Sequence, residues 1–475
     1  MGVWLYDTKG REKKLFSPLI EGRAGMYTCG PTVYGRAHLG NLRAYLFADT
    51  LKRVLNLSGF TPYHVMNITD VGHLTSDADD GDDKLVIGAR REMTTAWIIA
   101  RRYEEQFFQD CEALNILRPS VVCRATEHIP EQIEMIKELD QGGFCYRTSD
   151  GLYFDTSKYA EYGELARLDV EGLRAGERVS FGEKKNKTDF ALWKFSPENI
   201  SREMEWDAPW GKGFPGWHIE CSAMARRYLG TTLDIHTGGT DHIPIHHTNE
   251  IAQSECANHT RPFVRYWMHC QFLVLPSGEK VAKSSGHVLS VDTLKGMGLD
   301  PLAYRYLCLT AHYRNYLNYS ETAIRAASQG LLRLRQLCRA CGYISPAPKN
   351  DIAARAAAVT ERVRPSILAL LDDLNTPQAL VAFREFLKSA DVTSEEKILL
   401  IEVFDYVTGL DLSRNCAETF EEIPDDIIKL ADQRTTARSE KDWSKADLLR
   451  RELEDRGFIL DDLPSGTRIL RKNDL

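Results

Sequence analysis

The N-terminal part of the chain alternates short apolar runs with one long amphipathic repeat. The run "AGMYTC" (24–29) predicts a buried strand, and "PYHVMNIT" (62–69) alternates as a second strand does. Between them, "NLRAYLFADTLKRVLNL" (41–57) repeats apolar residues at helical spacing. Strand, loop, helix and strand in this order form a βαβ unit, so the pattern predicts an α/β fold with a parallel sheet.

The middle of the chain mixes patterns. It predicts helical structure over 86–140, a hairpin around Ser-Asp-Gly over 144–156, irregular polar sequence to about residue 210, and strand and helix signals over 214–275. The acidic stretch "SDADDGDDKL" (76–85) resembles a calcium loop, but its glycine comes one place early and Gly88 stands where a closing Glu belongs. We therefore predict a solvated loop there.

The C-terminal part has a helical pattern from about residue 320. The segment "ISPAPKND" (344–351) interrupts it, and further helices are predicted from 352 to about 410. An acidic linker over 416–426 leads to a predicted helix over 427–456 and a strand-like end. Cys338 and Cys341 form a C-x-x-C on a predicted helix without a partner pair, which favours packing over metal binding.

Composition and charge exclude several classes of protein. The 475 residues are 43 % hydrophobic and 27 % charged, which is typical of a globular chain of two to four domains. No apolar run approaches the length of a membrane span, and the start lacks a secretory pattern, so we expect a cytoplasmic protein. Eleven scattered cysteines indicate thiols rather than disulfides. The net charge of -8 excludes a generally basic surface, so any nucleic acid must meet local patches.

One loop, "YTCGPTVYGRAHLGN" (27–41), joins the first predicted strand to the first helix. Such a loop is the usual ligand site of an open α/β sheet, and the N–H groups at a helix N-terminus suit phosphate. His38, Gly40 and Asn41 stand at that position, although His38 taken alone also fits a capping residue. Neither a Walker pattern nor G-x-G-x-x-G is present in this loop.

Cysteine, histidine and glutamate recur where a metal site needs them. If the segment after Pro244 is helical, His246 and Glu250 are four residues apart on one face, whereas His247 and Glu250 are less well aligned. Together with Cys29 and Cys221 they offer two thiolates, an imidazole and a carboxylate, which is a plausible zinc set. Unrelated core or surface groups remain the alternative.

Four motifs in order resemble the cysteinyl-tRNA synthetases, a family of class I aminoacyl-tRNA synthetases. These are "CGPTVYGRAHLGN", "GWHIECSAMA", "GGTDHIPIHHTNE" and "GEKVAKSSGH", and the segment 437–468 resembles that family's anticodon module. "HLGN" is similar to the HIGH signature with Asn41 as its last residue, and "KVAKS" (280–284) is similar to KMSKS. His287 stands where the family usually has Asn.

The resemblance implies roles for individual residues. One Zn²⁺ per chain is expected on Cys29, Cys221, His246 and Glu250. The remaining roles are implied as follows: catalysis by His38, Asn41, Lys280, Lys283 and Ser284; ATP binding by His38, Gly40, Asn41, Asp241 and Lys283; substrate cysteine binding by Trp217 and Asp241; anticodon binding by Arg438, Asp447 and Asp462. Trp443, between basic residues, could stack on a base or pack on the helical bundle.

The resemblance also implies the reaction and the architecture. L-cysteine and ATP, with Mg²⁺, would give cysteinyl-adenylate and pyrophosphate, and cysteine would then pass to tRNA(Cys); a monomer without an editing domain is expected. The implied divisions are a Rossmann first half (1–140), a connective insertion (141–213), a second half with zinc ligands (214–275), a KMSKS-like loop and stem-contact region (276–325), a helical bundle (326–425) and an anticodon-binding module (426–475).

Three other functions remain open at this point. A cysteine ligase acting on a small amine, of the mycothiol-pathway type, shares the catalytic core but lacks an anticodon module. A catalytically inactive tRNA-binding paralogue would not need His38, Lys280 and Lys283. A zinc hydrolase is disfavoured because no H-E-x-x-H motif is present in the chain.

Overall fold

The protein is described from a computed structural model. The structure describes residues 2–71, 85, 87–88, 94–168, 183–196, 202–279, 289–344, 351–414, 425–440, 442–463 and 466–471. The acidic stretch 76–85, apart from Leu85, therefore lies outside the described residues, as do the interruption after residue 344 and most of the linker 416–426.

The described strands, in chain order, are β1 Trp4–Asp7, β2 Glu12–Leu15, β3 Arg23–Thr28, β4 Thr61–Ile68, β5 Val121–Arg124, β6 Cys145–Arg147, β7 Gly151–Phe154, β8 Phe190–Phe195, β9 Gly213–Pro215, β10 Leu233–Gly239, β11 Val264–Cys270, β12 Leu273–Val274, β13 Leu317–Asn318, β14 Phe458–Leu463 and β15 Gly466–Arg471.

The described α-helices are α1 Leu39–Leu57, α2 Ala96–Ala113, α3 Ile129–Gln141, α4 Trp217–Leu229, α5 Thr248–Asn258, α6 Val291–Gly296, α7 Leu302–Leu309, α8 Glu321–Ala340, α9 Ile352–Ala358, α10 Pro365–Leu371, α11 Thr376–Lys388, α12 Ser394–Thr408, α13 Asp425–Ser439 and α14 Trp443–Asp455. None of the helices in the described part of the chain has the length and apolar character needed to cross a membrane.

A five-stranded parallel sheet organises the N-terminal half, which confirms the predicted α/β class. Its order is β11-β10-β3-β4-β5, and every neighbouring pair is parallel. The chain builds outward from β3 through β4 to β5 and later returns to place β10 on the other side of β3. The strand order therefore reverses between β3 and β10, and ligands of open α/β sheets bind at the carboxyl ends of the strands beside such a reversal.

A second sheet is antiparallel and has the order β6-β7-β8-β9. Its first two strands are the hairpin predicted over 144–156. β8 lies in sequence that we interpreted as irregular, and it carries buried Trp193 into the core shared with the parallel sheet.

Two predicted helical segments need correction. The predicted helical stretch 86–140 contains β5, because the four residues Val121–Arg124 pair with β4 at the edge of the sheet. The single helix predicted over 427–456 is two helices, because the Asp442 carboxylate accepts the N–H of Lys445 and caps α14 as a new helix.

A buried ion network fixes α1 against the helical half of the molecule. Asp49 of α1 pairs with Arg53 at 2.8 Å and with Arg305 of α7 at 2.5 Å. Burial alone would raise the pKa of Asp49, but the two guanidinium groups hold it below its usual value. Because both guanidinium groups also donate to backbone carbonyls, they tie α1 to the segment that follows α2 and to the C-terminal end of α12.

Candidate active site and metal centre

Cys29 stands immediately after β3, at the point where the strand order reverses. Its N–H donates to the carbonyl of Thr237 on β10 at 3.2 Å, and the hydroxyls of Thr28 and Thr237 lie 2.8 Å apart. The next residue, Gly30, donates its N–H to Oδ1 of Asn67 at 2.8 Å. A Cβ on Gly30 would lie 1.5 Å from the carbonyl oxygen of Asn67, so only glycine permits this close approach. Cys29 is therefore fixed at the carboxyl end of the central strand β3 by contacts to both neighbouring strands, β10 and β4.

The histidines and the glutamate approach the thiol from a different element. Residues Ile243–His247 wind as one π-helical turn, and α5 continues directly from it. Such wide turns occur frequently at functional sites. The condition on which the pairing of His246 with Glu250 depended, helical structure after Pro244, is therefore met, and the turn leads His246, His247 and Glu250 into the same buried region.

Four donor atoms meet there. Cys29, His246, His247 and Glu250 offer ligand atoms that all lie within 4.8 Å of one another, and all four residues are buried. Cys29 Sγ lies 3.3 Å from His247 Nε2 and 3.8 Å from Glu250 Oε1. Glu250 Oε1 lies 3.0 Å from His246 Nε2 and 3.9 Å from His247 Nε2.

The donor set fits zinc. With Zn–N bonds of ~2.0 Å and Zn–S bonds of ~2.3 Å, two ligands of a tetrahedral ion stand roughly 3.3–3.8 Å apart. The contacts between thiol, imidazole and carboxylate span 3.0–3.9 Å. Sulfur, nitrogen and oxygen donors in one buried group are also the ligand types that zinc accepts.

Cys221 joins this group from α4. Burial alone would raise the pKa of its thiol, but hydrogen bonds with Cys29 and His246 and the charge on His246 lower that pKa to about 6. The pKa of Cys29 is raised well above its usual value, first by burial and then by Cys221. Of the predicted ligands, the structure thus brings Cys29, His246 and Glu250 together with Cys221 beside them. It also brings in His247, which the helical spacing had placed second.

An outer layer of histidines supports these groups. His236 Nε2 lies 3.0 Å from Glu250 Oε2, and His218 Nδ1 lies 2.9 Å from His246 Nδ1. His269 Nε2 lies 2.7 Å from His247 Nδ1. Partners of this kind orient metal ligands and fix their tautomers. Sequence reasoning missed all three outer residues, although seven of the thirteen histidines fall between residues 218 and 269, and that density was an available signal.

The charges in the cluster are strongly coupled. Burial would raise the pKa of Glu250, but His236 and His246 outweigh it and lower the pKa to about 2. Burial would lower the pKa of His246, but Glu250 and Cys221 raise it to about 10. The cluster therefore compensates its own charges inside a buried region, as a group of ionisable residues must.

Two predicted substrate residues lie at the outer margin of the cluster. The Trp217 ring stacks on His246 with ring centroids 4.4 Å apart and an interplanar angle of 28°. Trp217 is half-buried and forms a wall there. Asp241 is exposed, and its Oδ1 lies 2.3 Å from the position that a Cβ on Gly239 would take. The bare backbone of Gly239 is what allows the carboxylate to lie so close.

His38 is the N-cap of α1. Its Nδ1 accepts the N–H of Asn41 at 3.2 Å, and Asn41 Oδ1 accepts the N–H of His38 at 3.3 Å, so the two form a capping box. The capping interpretation is therefore confirmed. Because Nδ1 accepts a hydrogen bond, a neutral His38 ring carries its proton on Nε2. Among the residues described, the N–H of Gly40 in the first turn has no hydrogen-bond acceptor. A helix N-terminus with such donors suits phosphate.

Other predicted residues lie elsewhere in the fold or outside its described part. Lys280, Lys283, Ser284 and His287 are outside the described residues, as is the side chain of Asp462. Arg438 on α13 and Asp447 on α14 are exposed. Trp443 is 58 % exposed, which contradicts the interpretation in which it packs on the helical bundle.

Comparison with known proteins identifies the relatives of this chain. A family described as tRNA synthetases class I (C) catalytic domain matches residues 15–329. Cysteine–tRNA ligase 1 of Burkholderia lata is 50 % identical over 469 residues, which cover 99 % of this chain and 97 % of that protein. The cysteine–tRNA ligase of Treponema denticola is 40 % identical over 486 residues, covering 97 % of this chain and 98 % of that protein.

Solved structures share the fold at low sequence identity. Methionyl-tRNA synthetase of Mycobacterium tuberculosis bound by methionyl-adenylate superposes with a TM-score of 0.55 at 17 % identity, covering 82 % of this chain and 90 % of that one. The agnB2 LeuRS of Agrobacterium radiobacter K84, in a ternary complex with tRNA and LeuAMS, gives a TM-score of 0.56 at 12 % identity, with coverages of 85 % and 86 %.

Proposed function

The chain belongs to the cysteine–tRNA ligase family of class I aminoacyl-tRNA synthetases, and on that premise we propose that its buried donor cluster holds one zinc ion that recognises the thiol of the substrate cysteine. The observation that carries the proposal is the meeting of Cys29, His246 and Glu250 within 4.8 Å at the reversal of the parallel sheet. Trp217 beside His246 would wall the same pocket.

We assign the metal to Cys29, Cys221, His246 and Glu250, and His247, which lies in the same buried donor cluster, is a further donor. A bound zinc ion supplies preference for a thiolate, whereas a serine hydroxyl stays protonated and ligates weakly. Such a preference is needed because a pocket without a metal separates close isosteres by only ~1–3 kcal/mol. This selection at the binding step also explains why we expect no editing domain.

Cysteine activation follows from the groups around this pocket. The cysteine carboxylate attacks the α-phosphate of ATP, the bond to the β-phosphate oxygen breaks, and cysteinyl-adenylate and pyrophosphate result. Nε2–H of His38, the N–H of Gly40 and the positive end of α1 donate to the phosphate oxygens, on which negative charge develops. Asn41 holds His38 in position through the capping box. Asp241 holds the adenosine or the substrate amine, and Mg²⁺ accompanies ATP.

Positive charge for the departing pyrophosphate is assigned to the KMSKS-like segment. Lys280, Lys283 and Ser284 carry this assignment on the sequence motif alone. In the second step the terminal ribose hydroxyl of tRNA(Cys) attacks the adenylate carbonyl, an ester forms, and AMP leaves. Positioning of the reactants suffices for both steps, and no side-chain nucleophile is required.

Recognition of tRNA is assigned to the C-terminal module, residues 426–475. Arg438, Asp447 and Asp462 would read the anticodon, and exposed Trp443 would stack on a base. The relatives match through this module, since the alignment covers 99 % of the chain, and this supports tRNA rather than a small amine as acceptor. We further propose that the enzyme acts in the cytoplasm as a monomer.

Metal analysis combined with substrate selection tests the proposal. We expect purified wild-type protein to contain one zinc ion per chain and to catalyse ATP–pyrophosphate exchange with cysteine far faster than with serine. Removal of zinc by a chelator should abolish exchange, and added zinc should restore it. Zinc-free protein that still prefers cysteine over serine would contradict the assignment.

A further inference from the structure

Helices α7, α8 and α11 border a groove of about 670 Å³ in the helical half of the chain. Its floor is formed by Tyr306 of α7 and by Gly330 with neighbouring alanines of α8. A Cβ on Gly330 would lie 2.8 Å from Cε1 of Tyr306, so the tyrosine ring rests directly on the backbone of α8. The two helices thus approach closely, and the small residues leave space above them.

The groove carries positive charge without negative charge. Arg333, Arg384 and Lys388 line it, and no Asp or Glu does so among the described residues. Within the same described part of the chain, no salt bridge joins any of the three to a carboxylate. By contrast, Arg325 on the same helix α8 pairs with Glu321 at 2.8 Å, as an ordinary surface arginine does.

One of the three cations is held in position. The guanidinium of Arg384 donates to the hydroxyl of buried Tyr306 and lies 5.7 Å from the centre of its ring. A guanidinium has five N–H donors, so one hydrogen bond leaves others for an anion in the groove. Lys388 lies one helical turn further along α11, and it and Arg333 are exposed at the margin of the groove.

The charge of the whole chain makes this local excess informative. With a formal net charge of -8, the surface as a whole repels a polyanion. A ligase for tRNA must nevertheless hold a polyanion during catalysis. In protein complexes with nucleic acids, arginine and lysine contact the phosphates and position the backbone without reading its sequence. We propose that the groove of α7, α8 and α11 binds the sugar-phosphate backbone of the substrate tRNA. This inference rests on the proposed function.

The test is a charge reversal with a matched control. Arg333→Glu/Lys388→Glu changes two exposed groove cations, and Arg325→Glu makes the same kind of change on α8 outside the groove. Binding of a tRNA(Cys) transcript is measured at several salt concentrations, together with KM and kcat for aminoacylation and with ATP–pyrophosphate exchange in the absence of tRNA.

We expect the Kd and KM for tRNA to be about tenfold higher in the double variant than in wild type. The slope of log Kd against log salt concentration should fall by about two, since two phosphate contacts are lost. The affinity for a tRNA specific for another amino acid should fall by the same factor, because backbone contacts carry no sequence information. Exchange without tRNA and kcat should match those of Arg325→Glu.

Unchanged tRNA affinity and salt dependence relative to Arg325→Glu would overturn the inference, and so would a fall in kcat with KM unchanged. If the double variant also loses ATP–pyrophosphate exchange, the milder variant Arg333→Ala/Lys388→Ala replaces it. The same measurement, the salt dependence of tRNA binding, then decides. Wild-type protein that binds tRNA but activates no cysteine would contradict the proposed function alone, since the binding measurement does not require catalysis.

Discussion

The donor cluster at the carboxyl end of the parallel sheet and the C-terminal helices differ in how far their candidate functional residues are exposed. In the donor cluster, Cys29, His246 and Glu250 are buried, and each contacts groups from another element of the fold. On α13 and α14, Arg438, Asp447 and Trp443 are exposed. This difference fits the proposed functions, because a buried site for a small molecule is completed by the protein itself, whereas an exposed surface for a macromolecule is completed by the partner. Single changes should therefore have large effects at the first region and graded effects at the second.

The largest effect is expected from Cys221→Ser. Loss of a thiolate ligand should remove zinc and reduce cysteine activation by about a thousandfold, at the upper end of what one essential contact contributes. Metal content and ATP–pyrophosphate exchange measure the two losses. His247→Asn is the matched change at the fifth donor and should retain zinc. If His247→Asn releases the metal while Cys221→Ser keeps it, the ligands are the four residues that lie within 4.8 Å of one another.

His38→Ala tests the proposed phosphate contact at the N-terminus of α1. We expect exchange to fall about a hundredfold, because a donor to the developing charge is lost, with tRNA affinity unchanged. The substitution also removes a helix cap, at a cost of ~1 kcal/mol in stability. His38→Asn separates the two roles, since Asn restores a capping acceptor but not the imidazole. Full activity in His38→Asn would leave His38 as a capping residue only.

Arg438→Ala tests a residue of the exposed region, the C-terminal helices. If Arg438 reads a base of the anticodon, as proposed, its loss should lower kcat/KM for tRNA(Cys) about tenfold, and exchange without tRNA should stay at the wild-type rate. Arg450→Ala is the control, because Arg450 is exposed on α14 and pairs with Glu454. An equal loss in both variants would assign the effect to general charge rather than to reading of the anticodon.

The smallest effect is expected from Trp443→Ala. Stacking on one base contributes ~1 kcal/mol at its lower end, so KM for tRNA should rise about fivefold. Leu448→Ala provides the comparison, since Leu448 is 67 % exposed on the same helix and offers no aromatic face. A KM for tRNA that is the same in both variants and in wild type would exclude stacking.

Local patterns were enough to predict the central fold. The run 24–29, the helix 41–57 and the strand 62–69 correspond to β3, α1 and β4, because apolar spacing along a short segment reflects its own burial. β5 was missed because four residues carry too little periodicity, and its pairing with β4 is a tertiary fact. The division of the last helical segment depends on a single capping residue, Asp442.

The site was predictable only through spacing and motif. His246 and Glu250 share one helical segment, so their contact follows from local geometry. The approach of Cys29 depends on a sheet that brings β3 beside β10, and helical or strand periodicity does not encode that neighbour. For the same reason the outer histidines His218, His236 and His269, which come from a helix and two different strands, were not recognised.

The separation of Cys29 from Glu250 by 221 positions has a consequence for biosynthesis. β3 pairs with β10 through Met26 and Ile235, so one edge of β3 has no neighbour until the ribosome has delivered that later strand. At translation speeds of ~5–20 residues per second, this interval lasts roughly 10–45 seconds. During this interval we expect one edge of β3 and the Cys29 thiol to stay uncovered, until β10 pairs with β3 and the residues that follow it, His247 and Glu250, contact the thiol.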